Sequence, residues 1–185
     1  MALTSTIYRV DLALSDVDRG VYETLELRLA LHPSETLRFL VTRTIAYALE
    51  YEEGIAWSRG GISSTDEPPI AVRDATGILL AWIDVGLPSA ERLHKASKAA
   101  RRVALYTTAE PSHVQREASQ RAIHRAEAIE VVRIDPAFVD AIGARLERTC
   151  ALGLTRNEGH LYAEIGGASL STELSRISLA PESGG

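Results

Sequence analysis

Two aspartates, a lysine and an arginine fall close together in the middle of the chain. Asp66 opens the acidic turn Asp66-Glu67-Pro68-Pro69, and Asp84 closes the apolar run that begins at Gly77. Arg92, Lys95 and Lys98 follow the break Gly86-Leu87-Pro88. A carboxylate on a turn, a second at the end of a buried strand and a nearby amine are the groups needed to hold a divalent cation beside a phosphate. Asp84 is the more informative acid, because a charge that ends an apolar run requires compensation. Two carboxylates brought close together repel unless a cation or a proton joins them, and magnesium suits a site with one or two carboxylates. A quieter reading uses the same residues: Asp66 caps a turn, and Asp84 pairs with Arg92 across the Gly-Leu-Pro break. Glu35 is a candidate third acid or a helix-dipole partner. Glu67 is a substitute for Asp66, and Arg59, beside Gly60, either clamps a phosphate or pairs with a glutamate.

The elements that must position these groups follow from periodicity. Ile78 to Val85 is apolar on both faces, as a central strand should be, and period two puts Asp84 on the side of Leu80 and Trp82. Residues 70 to 73 form a preceding strand, joined to it by the turn Asp74-Ala75-Thr76-Gly77. Past Pro88 a helix is expected from Ser89, its N-cap, to Val103, with Leu93, Ala96, Ala100 and Val103 inward. On that helix Arg92 and Lys95 lie at the margin of the apolar face, while Lys98, Arg101 and Arg102 are expected to be solvated. Lys95 is therefore the amine placed to reach the acids.

Strands at Val103 to Thr107 and Ile129 to Asp135 alternate with helices at 111–126 and from Pro136 to about Glu147. That βαβ rhythm predicts parallel neighbours with right-handed crossovers. Towards the amino terminus, Thr4 to Leu14 and Val21 to Leu31 read as an antiparallel hairpin. A core-packing helix is expected to open at His32-Pro33-Ser34-Glu35-Thr36 and to end in solvated glutamates before Gly54. After Thr149 the pattern becomes a terminal β-meander, with Pro181 to Gly185 a frayed tail and Gly60-Gly61 a simple turn. The expected fold is a single mixed α/β domain over residues 1–185.

Composition narrows the function classes. The 185 residues are 45% hydrophobic and 24% charged, close to globular averages. The net charge of −5 argues against a protein that coats nucleic acid nonspecifically, so any phosphate contact must be local. One cysteine, Cys150, excludes an intramolecular disulfide and a multi-cysteine zinc site. No run is apolar enough for a membrane span and the amino terminus lacks a signal-peptide pattern, so a cytoplasmic location without membrane contact is expected. The five histidines show no metal-ligand spacing.

The segments His32 to Thr36, Arg59-Gly60, Asp66-Glu67-Pro68, Trp82 to Pro88 and Arg92 to Ala96 together resemble the YaeQ family of small bacterial proteins. The likeness runs over nearly the whole chain. That family is assigned by fold to the PD-(D/E)XK nuclease-like superfamily, so the resemblance implies a mixed central sheet flanked by helices and a magnesium-dependent phosphodiesterase. In it Asp66 and Asp84 would hold the metal, Lys95 would orient water, and Glu35, Arg59 and Arg92 would assist. The family often has glutamate where Asp84 stands. Gly86 is the departure that matters, because the superfamily expects lysine there, and a lysine supplied by the following helix is a variation in which Lys95 takes that part. The alternative implied by Gly86 is a nuclease-fold module without cleavage that binds nucleic acid or a protein partner.

Overall fold

The computed structural model describes residues 4–59 and 64–180. The turn expected at Gly60-Gly61 and the tail from Pro181 lie outside them. The mixed α/β class holds, and its strands are shared between two mixed sheets with four helices rather than gathered into one central sheet. The chain divides into two compact units: Met1–Leu49 with Ile134–Leu174, and Glu50–Arg133 with Ser175–Gly185.

In the first unit the hairpin strands β1 (Thr6–Asp16) and β2 (Val21–Leu31) pair along their full length. The meander expected after Thr149 forms as β8 (Thr149–Asn157), β9 (His160–Ile165) and β10 (Ala168–Glu173). β8 lies parallel to β1, which makes hairpin and meander one five-stranded sheet in the order β10-β9-β8-β1-β2. Its buried alternation, Val10, Leu12 and Leu14 with Leu152 and Leu154, sets the register. Asp16 is fully buried at the end of β1, held by both ends of the Arg156 guanidinium fork. Helices α1 (Leu37–Leu49) and α4 (Pro136–Gly143) pack together and are joined by the Arg38–Asp140 pair.

α1 starts later than Pro33 suggests. Residues 32–35 close on themselves, with Glu35 Oε2 accepting from the His32 amide at 2.7 Å, and Thr36 Oγ1 accepts from Phe39 N at 3.1 Å as the true cap.

In the second unit six strands run in the order β11-β7-β6-β5-β4-β3. β3 (Ile55–Trp57), β4 (Ile70–Arg73) and β5 (Leu79–Val85) are antiparallel neighbours, while β5, β6 (Arg102–Thr107) and β7 (Glu130–Arg133) are parallel, as the βαβ rhythm predicts. β11 (Ser175–Ile177) closes the far edge on β7. Helix α2 (Ala90–Ala99) packs on β5 and β6 over a core of Trp82, Leu93, Ala96, Val103 and Leu105. α3 (Pro111–Ala118) is shorter than the expected 111–126, because the chain leaves the helix at Ser119 and only a 3-10 turn, Ala126–Ala128, follows Arg125 in the left-handed region.

Glu50 was expected to be solvated. It is instead buried, accepting from Tyr106 Oη at 2.7 Å and pairing with Arg102 at 2.7 Å, which also withdraws Arg102 from the solvated basic face. Among the described residues no helix is long and apolar enough to cross a membrane.

Candidate functional site

β5 delivers Asp84 to the carboxyl end of a central parallel pair, the edge of an open α/β sheet at which ligands are usually bound. The chain then turns through Gly86, whose φ of +93° is in the region that favours glycine. The Gly86 amide donates to Tyr106 O at 2.9 Å, which fixes that conformation to the neighbouring strand. A lysine at position 86 would have to take this left-handed backbone, so its absence is a steric consequence of the turn. Ser89 caps α2 by accepting from Arg92 N at 3.2 Å, and the first helical turns then present Arg92 and Lys95 three residues apart on one margin.

Both cations reach back to the turn at residues 64–67, but they do different things. Arg92 Nε donates to Asp84 Oδ2 at 2.7 Å. Its Nη1 donates to the carbonyls of Ser64 and Thr65 at 3.3 and 3.2 Å, and its Nη2 to that of Glu67 at 3.0 Å. The guanidinium also lies 5.4 Å from the centroid of the Trp82 ring, a cation–π distance. Asp84, 2% exposed, accepts further from Trp82 Nε1 at 3.1 Å and from Val85 N at 3.2 Å. Its burial is thus compensated by three donors, one of them charged. The pairing of Asp84 with Arg92 is the one that the spacing across the Gly-Leu-Pro break allowed.

Lys95 Nζ pairs with Asp66, both groups being largely exposed. That hydrogen bond, with the ammonium charge behind it, holds the Asp66 carboxyl below the usual aspartate range. Thr65, Asp66, Ser89, Glu91, Arg92 and Lys95 line a cleft of about 300 Å³.

Of the sequence-selected residues, Asp66, Asp84, Arg92 and Lys95 are therefore assembled around one turn. Glu35 belongs to the first unit, where it bonds to His32 N and pairs with Arg43 at 3.3 Å. Arg59 lines a second hollow of about 380 Å³, with Arg73, Glu67 and the alanines 56 and 71. Glu67, a substitute for Asp66 by sequence, lines this hollow instead, and Arg73 was not marked because its part depends on strand register, which leaves no pattern in the sequence.

A divalent metal can be weighed against this donor set. Each aspartate is already neutralised by its own cation, and among the described residues no group of three or more His, Cys, Asp or Glu side chains is arranged to hold a metal ion. A magnesium ion at Asp84 would have to share the carboxylate with Arg92, whose guanidinium charge would repel it and which also secures the turn. As arranged, the residues do not fit one.

Comparison with known proteins decides the lineage. The profile of the YaeQ protein family matches residues 1–174. This chain belongs to the YaeQ family. It is 32% identical to the Escherichia coli (strain K12) protein described as "Uncharacterized protein YaeQ", over 88% of this chain and 90% of that one. A Salmonella typhi protein of the same description is 40% identical over 57% of this chain and 58% of its own length. The crystal structure of YaeQ protein from Xanthomonas axonopodis pv. citri superposes with a TM-score of 0.84 at 31% identity, covering 96% of this chain and 100% of that one. That of YaeQ protein from Pseudomonas syringae gives 0.83 at 27% identity, covering 94% and 96%.

Proposed function

We propose that this chain is a nuclease-fold module, related to the PD-(D/E)XK group, that binds a strand of nucleic acid at the cleft beside Asp66 and Lys95 without cleaving it. The observation that carries this reading is the commitment of Asp84 to Arg92 at 2.7 Å, in a pair whose guanidinium also holds three carbonyls of the turn. An acid so engaged is a structural anchor rather than a free ligand. Lys95 is differently placed, because its pair with Asp66 is exposed and weakly held, and a phosphate entering the cleft can take the ammonium from the carboxylate. The overall net charge of −5 restricts the interaction to a few local cations.

A second reading, magnesium-dependent phosphodiester hydrolysis, is favoured by one observation: Lys95 does reach an acid across an open cleft, as a relocated lysine should. Filter retention of labelled single-stranded oligonucleotide, run beside a cleavage gel with magnesium, separates the two. The binding reading expects salt-sensitive retention with a log–log slope of about −2, the value for roughly three phosphates neutralised on a single strand, and no turnover. Magnesium-dependent turnover lost in Asp84→Asn would overturn it in favour of hydrolysis, and no retention at any salt concentration would overturn binding.

A further inference from the structure

The second hollow lies on the α2 face of the six-stranded sheet. Cross-strand pairing places Ala56 opposite Ala71 and Ala71 opposite Trp82, so all three share the face that bears Asp84. α2 contacts β5 and β6, and Ala56, on the edge strand beyond them, is exposed. The result is a trough of about 380 Å³, floored by two alanines and bordered by Trp57 and Pro68, within the size range of small-ligand sites. Its charged lining is Arg59, Arg73 and Glu67. Both arginines are exposed, and Arg73 Nη1 donates to Gly77 O at 3.2 Å, which leaves most of its fork open. Glu67 Oε2 is occupied by Ser58 Oγ at 3.1 Å. Two guanidiniums stand against one carboxylate, which leaves the charged lining of the trough net positive.

Glu67 also joins this trough to the first cleft. Its side chain lines the trough and its carbonyl accepts from Arg92, while its neighbour Asp66 faces Lys95. The two hollows thus share one short turn, with Lys95 lining the first and Arg73 the second.

We propose that the trough is a nucleotide subsite: Arg59 and Arg73 hold a phosphate, and the apolar floor of Ala56 and Ala71 carries the nucleoside body, whether the nucleotide is free or one unit of a strand. This rests on the binding reading above and extends it by one phosphate.

The test is calorimetric titration of the full chain with a nucleoside monophosphate, with inorganic phosphate and with a short single-stranded oligonucleotide. Trp57 fluorescence in Trp82→Phe serves as a second readout, since the chain has only two tryptophans. Saturable binding of the monophosphate is expected, weakened roughly tenfold or more in Arg73→Ala by loss of a charge-assisted contact and unchanged in Arg28→Ala, which alters an exposed residue of the first unit. Monophosphate binding without oligonucleotide binding upholds the subsite while removing the strand-binding function. No monophosphate binding, equal affinity in Arg73→Ala, or equal affinity for inorganic phosphate and the monophosphate would each overturn the assignment.

Discussion

Two ion pairs stand side by side at the start of α2, made from the same chemistry and differing in almost everything that decides their roles. Asp84 and Arg92 have side chains 3% and 20% exposed, and every polar edge of the pair is engaged by backbone or indole groups. Asp66 and Lys95 are 78% and 48% exposed and engage each other on the rim of a cleft. Burial converts the first into a fixture that ties strand, helix and turn together, because taking either partner away strands a charge in a place that water reaches poorly. Exposure leaves the second exchangeable. The helix therefore uses one cation to tie strand and turn together and leaves the next, a turn further on, exchangeable at the rim of the cleft.

Three substitutions test that contrast. The largest effect is expected from Asp84→Ala, which leaves Arg92 without its carboxylate and should cost about 3 kcal/mol of unfolding free energy by urea titration. A loss below about 1 kcal/mol would put the pair in the same class as its exposed neighbour. Next is Gly86→Lys, which places a side chain on a backbone held at φ +93°. It should destabilise by about 1 to 2 kcal/mol on the same measurement, and a neutral result would show that the turn tolerates a side chain. Smallest is Lys95→Ala. It should leave the unfolding midpoint unchanged while the Asp66 carboxyl, followed by NMR, rises back towards the ordinary aspartate value of 3.8. The sign follows from the direction of the shift: a depressed carboxyl pKa means that the contact is present above the ordinary value and is lost as pH falls through the depressed one. An Asp66 titration identical in wild type and Lys95→Ala would contradict the pair.

Much of this geometry was legible in the sequence, for reasons that are local. An apolar run ending in Asp84, a Gly-Leu-Pro break and a serine cap define strand, turn and helix within a single stretch, and the margin position of Arg92 and Lys95 follows from helical period alone. The hairpin and meander were equally plain from alternation. What was hidden is long-range. Nothing in β1 announces that it lies parallel to β8, well over a hundred residues away, and that pairing is what makes a second sheet. Glu50 looked solvated because its partners, Tyr106 and Arg102, are brought to it by the fold. The three carbonyls held by Arg92 carry no residue signature, since every residue has one. The trough beside Arg73 depends on the pairing of exposed Ala56 with Ala71, which is a property of register.

Arg92 holds Asp84 at 2.7 Å, and the strength of that hold can be measured against a metal. The most direct measurement follows the Arg92 Nε–H resonance by NMR while magnesium is added to the wild-type chain. The structure predicts a downfield, protected signal, assigned by its loss in Arg92→Ala, that does not move with magnesium because the bond to Asp84 persists. Saturable loss or displacement of that signal by magnesium, absent in Asp84→Asn, would contradict it and return Asp84 to the metal-binding role.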